Sequence, residues 1–298
     1  MDSVRLDGKT VIVTGSNTGI GKVTAKDLAR RGGRVIMACR NEQKALQARE
    51  DILTDPSIRA DLLVFMKLDL SSLKQVREFA ENFNANESRL DLLINNAGVE
   101  VGNRQLTEDG FEFHMGVNHL GVFLLTLLLL DKIKASAPSR IVNLTSSGHS
   151  VGKIDFNDFM FEKGWGVMTS YGRSKTANIL FSVGLMRRLK GTGVTTYSVH
   201  PGAVKGTELT RWTTGCWSCL MTCMLCCCGC CWKNLEQGAA TSLYCALEPK
   251  LANDSGKYYC DCREATASSF AVDPDIAEKL WTVSEELVGH SYGITKAF

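Results

Sequence analysis

The sequence predicts one doubly wound α/β domain of the Rossmann type, with a mostly parallel sheet of seven strands and helices on both faces. Short β-branched runs alternate with segments of helical character along the chain, and a glycine-rich turn follows the first run. Near-continuous apolar strands separated by helices are typical of a parallel sheet that is covered on both faces. The predicted strands are residues 11–13, 35–38, 62–68, 90–94, 141–144 and 194–199, with a seventh at 256–259.

The composition fits one large globular domain with a small-molecule partner. The 298 residues are 44% hydrophobic and 22% charged, which is enough apolar sequence to bury a substantial core. The formal charge of +2 arises from 34 basic and 32 acidic residues, so bulk electrostatics does not recruit nucleic acid. Neither a repeat nor a linker divides the sequence, so we expect residues 1–298 to form a single domain.

Two segments bear on membrane insertion. The first ten residues mix charged and small polar side chains and lack the apolar core of a secretory signal or anchor, so we expect the domain to begin almost at once, in the cytosol. The apolar run at 120–130 is shorter than the ~20 residues that span a bilayer. We therefore expect this run to form a buried helix against the sheet.

A glycine-rich turn connects the first predicted strand to the first predicted helix. Glycine lets the backbone turn sharply and approach a pyrophosphate, and it aims the helix N-terminus at the negative charge. The turn therefore predicts a dinucleotide-binding site. Its candidate residues are Gly15, Ser16, Asn17, Thr18, Gly19, Ile20 and Gly21.

Arg40 ends the second predicted strand, about 20 residues beyond Gly21, where an NAD-specific site places an acidic side chain on the ribose 2′-hydroxyl. A guanidinium instead fits a 2′-phosphate in planar, bidentate geometry. The sequence therefore predicts NADP(H) as the cofactor. A solvated surface arginine is the alternative interpretation.

Tyr171 and Lys175 form the candidate acid/base pair. They are four residues apart in a predicted helix, so they share one face and reach the same cleft. A tyrosine can donate a proton at neutral pH only if positive charge lowers its pKa, and we expect the charge of Lys175 to lower the pKa of Tyr171 from about 10. Ser146 follows the predicted strand 141–144 at the carboxyl edge of the sheet, where its hydroxyl can hold the substrate oxygen. Ser147 is the rival for this role.

The five histidines are scattered without the spacing of metal ligands. We expect them to be structural, and we expect no metal site.

Together these motifs resemble the short-chain dehydrogenase/reductase family over residues 7–287. The resemblance also includes Asp69 after the third strand, the turn that contains Asn96, Ala97 and Gly98, then Asn118, and Pro201 with Gly202. The amino-acid sequence is similar to that of the NADP-using, microsomal branch of vertebrate retinol dehydrogenases at residues 17–21, 38–40, 117–121, 193–197 and 200–202. Most members of that branch begin with a hydrophobic anchor, which the first ten residues here do not resemble.

The resemblance implies a role for each matching residue. Asp69 and Leu70 flank the adenine, Asn96, Ala97 and Gly98 shape the adenine-ribose side, and Pro201, Gly202 and Thr207 line the nicotinamide side. It assigns the catalytic serine to Ser146. Lys175 hydrogen-bonds the nicotinamide ribose, and Asn118 orients a water that relays protons to Lys175.

The resemblance further implies an NADP(H)-dependent enzyme that interconverts a lipophilic aldehyde and its alcohol, with retinal and retinol as the first expectation. The alternatives are a carbonyl reductase for lipid-derived aldehydes, steroids or xenobiotics, and a non-catalytic regulator that binds the cofactor. Family members often pair through the helices that carry Asn118 and Tyr171, so a homodimer is one assembly to test. We expect a cytosol-facing protein on the endoplasmic reticulum membrane, with a soluble cytoplasmic protein as the alternative.

A cysteine-rich segment occupies the place of the family's substrate lid, at about 208–233. Residues 212–232 include no charged side chain, and eight cysteines lie between 216 and 231. We expect an apolar lid that contacts the membrane surface, with S-acylation of some cysteines as an added anchor. A lid without membrane contact and a zinc site are the alternatives, and the short gap between the Cys-x-x-Cys pairs argues against zinc.

Overall fold

The computed structural model describes residues 4–206 and 232–292. Its main sheet has eight strands in the order β10-β9-β6-β5-β4-β1-β2-β3, with parallel pairing throughout except at the β10 edge. The doubly wound, mostly parallel prediction is confirmed, and the predicted seventh strand is β9. The additional strand, β10, has only two residues, too few to give an apolar pattern in the sequence.

The strands and helices follow the predicted alternation. The strands are β1 Thr10–Thr14, β2 Arg34–Cys39, β3 Leu63–Lys67, β4 Leu92–Asn95, β5 Ser139–Leu144, β6 Val194–His200, β7 Ala203–Val204, β8 Trp232–Lys233, β9 Lys257–Cys260 and β10 Arg263–Glu264. The helices are α1 Gly19–Arg30, α2 Glu42–Leu53, α3 Leu73–Asn86, α4 Phe113–Met115, α5 Gly121–Ala135, α6 Val167–Arg188, α7 Leu235–Leu247 and α8 Pro274–Val288.

Side-chain alternation along the strands builds two apolar layers, one on each face of the sheet. Val11 and Val13 of β1 pack with α1, α2 and α7, whereas Ile12 packs with α3, α5, α6 and α8. Successive side chains of a strand point to opposite faces, so a strand that is buried on both sides reads as a continuous apolar run. The carboxyl edge of the sheet is left for a ligand.

Helix α5 is apolar on all sides because the fold encloses it. Together with α4 and the π-helical turn Gly116–Leu120, it forms a continuous helix, Phe113–Ala135, which is long and apolar enough to cross a membrane. Within the described residues, however, 89% of its most apolar window is buried inside the protein. The predicted buried helix at 120–130 is therefore confirmed.

The described residues on either side of positions 207–231 lie next to one another. Strand β7 pairs with β8 in parallel, and the Lys205 amide donates to the Lys233 carbonyl at 3.0 Å. The Lys233 ammonium also lies 2.5 Å from Asp261 and 3.1 Å from the Pro201 carbonyl oxygen. The predictions for the lid, its eight cysteines and Thr207 concern residues outside the described ranges.

Candidate active site

The glycine turn after β1 presents an open helix N-terminus to the cleft. Gly15 has a φ of +66°, and a Cβ on Gly21 would collide with the Gly15 carbonyl oxygen and the Asn96 amide group. The N-cap of α1, Thr18, makes no side-chain capping bond within the described structure, and the first turn contains no acidic residue. The free N–H groups and the helix dipole therefore fit the pyrophosphate of a dinucleotide.

A single cleft along the carboxyl edge of the sheet brings together most of the predicted site residues. Those lining it are Gly15, Asn17, Thr18, Gly19, Ile20, Gly21, Arg40, Asp69, Leu70, Asn96, Ala97, Gly98, Tyr171, Lys175 and Pro201. Four other predicted residues, Ser16, Asn118, Ser146 and Gly202, lie outside this lining. Ser16 is fully buried with its hydroxyl 3.5 Å from the Cys39 sulfur, and Gly202 lies against the Lys233 side chain.

The far end of the cleft has a second basic residue that sequence reasoning missed. The Arg40 side chain is 54% exposed and lies 3.9 Å from the Asp69 carboxylate, so it is held loosely and can turn toward a ligand. Lys44 lines the same end, and the Asn41 cap that accepts from its backbone N–H at 2.9 Å starts α2 there. The signal was a lysine in the first turn of the helix that follows Arg40.

Helix α6 places Tyr171 and Lys175 together in the cleft, where both are buried. The Lys175 ammonium lies 5.4 Å from the Tyr171 ring centroid and 3.5 Å from the Leu144 carbonyl oxygen. Burial raises the pKa of Tyr171 above its ordinary value, and the charge of Glu100 adds to this, whereas a hydrogen bond with Ser146 lowers it. The expected net lowering by Lys175 was wrong, because burial penalises the phenolate more strongly than its neighbours stabilise it.

Ser146 reaches Tyr171 through a close contact between two backbones. Ser146 follows β5 and caps the 3₁₀ turn Ser147–Val151, accepting from the Gly148 amide at 3.1 Å. A Cβ built on Gly148 would lie 3.4 Å from the Tyr171 ring and 3.6 Å from the Ser146 hydroxyl. At the end of the turn, Gly152 touches the backbone of Gly172. The serine and the tyrosine are therefore held against one another.

Asn118 lies in the π-helical turn and fastens the loop after β4. Its side chain accepts from the Val99 amide at 2.8 Å and donates to the Val99 carbonyl oxygen at 2.9 Å and the Ser174 hydroxyl at 3.0 Å. π-Helical turns within α-helices are frequent at functional sites. The amide is committed to these bonds, so the water-orienting role expected of Asn118 stays a prediction.

Metal ligation is not visible in this part of the chain. Within residues 4–206 and 232–292, no group of three His, Cys, Asp or Glu side chains could hold a metal ion. The side chains of His114, His119, His149 and His200 instead hydrogen-bond to other residues, as His119 does to the Ser284 hydroxyl at 2.8 Å.

We predict that catalysis declines as the pH rises through about 8. Burial lowers the pKa of Lys175 to about 8, while Glu100 opposes this. The charged lysine is therefore present below that pH and lost above it. The Glu100→Gln change removes a charge that raises this pKa, so it should move the alkaline limb of kcat/KM to lower pH. Glu81→Gln, an exposed change on α3, should leave the profile in place. A limb that stays fixed in Glu100→Gln would refute the coupling.

Fold and cleft together define the class of protein, an oxidoreductase that works with a nicotinamide dinucleotide. The short chain dehydrogenase family model matches residues 9–214, and the chain belongs to that family.

Curated relatives and solved structures agree with this placement. The chain is 49% identical to mouse retinol dehydrogenase 12 and 50% identical to human retinol dehydrogenase 11, in each case over 96% of this chain and 88% of the relative. A crystal structure of an uncharacterized protein from Mycobacterium paratuberculosis superposes with a TM-score of 0.78, at 31% identity and 97% coverage of both chains. The RhlG/NADP active-site complex of Pseudomonas aeruginosa superposes with a TM-score of 0.68, at 25% identity over 85% of this chain and 94% of the other.

Proposed function

We propose that this protein reduces a lipophilic aldehyde to its alcohol with NADPH, and that retinal is its substrate class. The observation that carries the proposal is that buried Tyr171 and Lys175 line the same cleft as the glycine turn, with the turn that holds Ser146 against the tyrosine ring. The names of the relatives support the substrate class, since retinol dehydrogenases 11, 12, 13 and 14 are among the most similar proteins.

The residues divide the reaction among them. A nicotinamide held in this cleft would supply the hydride to the carbonyl carbon. Ser146 holds the carbonyl oxygen, Tyr171 donates its proton to that oxygen as negative charge develops, and Lys175 places a positive charge beside both. Burial raises the pKa of Tyr171, so the phenol is in the protonated form from which reduction begins. The reverse reaction uses the same groups.

We propose that Arg40 and Lys44 select NADPH over NADH. Arg40→Asp should lower the ratio of kcat/KM for NADPH to that for NADH by about 10- to 100-fold, since hydrogen bonds to charged groups contribute about 1.5–3 kcal/mol. Lys44→Ala should lower the same ratio by about tenfold, and Lys44→Arg should retain it, because a single exposed cation acts through charge. An Arg40→Asp enzyme that keeps its NADPH preference would contradict this assignment.

Membrane contact and assembly extend the proposal. We propose that the apolar segment 212–232 contacts the endoplasmic reticulum surface, where a lipophilic substrate is concentrated. Fractionation before and after hydroxylamine tests contact and S-acylation together, and a fully soluble protein would refute both.

Pairing through the helices of Asn118 and Tyr171 would have to displace α8, which packs on α6 through Trp281 and Phe181.

The proposed function is tested by the loss of NADPH fluorescence in the presence of purified full-length protein and all-trans-retinal, with NADH in parallel. Turnover that is faster with NADPH supports the proposal. Activity on steroids, shorter aldehydes or ketones but not on retinal would keep the chemistry and reject the retinoid. If no carbonyl compound is reduced although NADPH still binds, the result would favour a non-catalytic regulator.

A further inference from the structure

Two fully buried polar side chains, Glu112 and His114, lie behind the tyrosine. Both have 0% exposed side chains, and Phe113 between them lines the cleft instead. Phe113 therefore faces the cleft, and Glu112 and His114 face the interior of the protein. Burying a carboxylate and an imidazole is costly unless both are hydrogen-bonded, so their partners show what the pair holds in place.

Glu112 is a charged anchor with a full set of donors. One carboxylate oxygen accepts from His114 Nδ1 and Trp165 Nε1, each at 3.0 Å, and the other accepts from the Met115 amide at 2.9 Å. Burial acts to raise the pKa of Glu112, but these bonds outweigh it and hold that pKa below its usual range. A carboxylate at this position fixes the proton of His114 on Nδ1.

His114 joins the loop after β4 to the helix that carries the tyrosine. With its proton on Nδ1, its Nε2 accepts from the Val101 amide at 2.9 Å. The Ser170 hydroxyl lies 3.0 Å from Nδ1, one residue before Tyr171. The imidazole also stands edge-on to the Tyr171 ring, with centroids 6.0 Å apart and planes at 78°.

We propose that Glu112 and His114 are positioning residues for Tyr171, which set the place and orientation of its phenol from the side opposite the substrate. The proposal rests on the proposed function, since it concerns the proton donor of that reaction. The pair hydrogen-bonds to the loop that Asn118 fastens and to the first turn of α6, and its imidazole contacts the Tyr171 ring, so it ties the loop to the helix beside the tyrosine. Misplacing a reacting group by about 1 Å costs about 100-fold in rate.

The test compares His114→Phe with a matched change in the core. His114→Phe keeps an aromatic ring beside Tyr171 but removes the hydrogen bonds to Glu112, Ser170 and the Val101 amide, whereas His114→Gln supplies a donor and an acceptor. Ser284→Ala removes the buried bond to His119 from α8, away from the cleft. We expect His114→Phe to lower kcat about 30- to 100-fold with the NADPH Kd unchanged. His114→Gln should recover part of kcat, and Ser284→Ala should lower Tm with kcat retained.

A readout without turnover separates this proposal from the proposed function. Tyrosine labelled with ¹³C at Cζ gives one resonance for each of the six tyrosines, and Tyr171→Phe assigns the one at issue. That resonance should shift in His114→Phe and stay in Ser284→Ala, whether or not any carbonyl is reduced. If His114→Phe does not fold, Glu112→Gln, which retains the shape of the side chain, is measured in the same way. An unchanged resonance, or kcat loss that merely follows Tm, would overturn the proposal.

Discussion

Tyr171→Phe should abolish carbonyl reduction while leaving NADPH binding within about threefold of the wild type, because one proton donor typically contributes 10²–10⁴-fold to the rate. The change deletes only the hydroxyl group. The ring still contacts Gly148 and stands edge-on to His114, so the packing of α6 is preserved. A loss of about 1,000-fold in kcat with a near-constant Tm is the expected result.

The measurement is single-turnover oxidation of bound NADPH after mixing with retinal, beside a fluorescence titration of NADPH alone. Ser147→Ala is the matched control, since Ser147 is the neighbouring hydroxyl that the family resemblance does not assign to catalysis. Ser146→Ala should lower the rate through loss of the bond to the substrate oxygen. Retained turnover in Tyr171→Phe would remove the acid/base scheme altogether.

The positions of the strands and of the glycine turn were predictable because each rests on a local pattern. Strand β1 is a continuous apolar run, and Gly15 to Gly21 follow it directly. The Glu112–His114 pair had no such signal. Its partners, Trp165 and Ser170, are more than 50 residues away in the chain, and only the packing of α4 against α6 brings them together.

Electrostatic directions were harder to predict than positions. The spacing of Tyr171 and Lys175 placed both groups correctly, and opposite charge alone suggested a lowered tyrosine pKa. Burial cannot be read from a four-residue spacing, and it shifts each group toward its neutral form. It therefore raises the pKa of Tyr171 and lowers that of Lys175 to about 8. Glu100, which acts on both groups, had no motif to mark it.

The contact between Gly152 and Gly172 leads to the other large effect. A Cβ on Gly152 would overlap the carbonyl carbon of Gly172 and the amide nitrogen of Arg173. These atoms are backbone in the first turns of α6, so a side-chain rotation cannot relieve the overlap. In Gly152→Ala the turn that carries Ser146 must therefore move away from the helix that carries Tyr171.

We expect Gly152→Ala to lower kcat/KM for the carbonyl by about 100-fold or more, since the serine and the tyrosine must act on one oxygen atom. Coenzyme affinity should change less, because the glycine turn and Arg40 lie at the other end of the cleft. Gly164→Ala is the matched control, as a Cβ there meets nothing within 4 Å. Near-normal reduction in Gly152→Ala would mean that Ser146 and Tyr171 do not need this contact to share a substrate oxygen, and that the loop holding Ser146 adjusts freely.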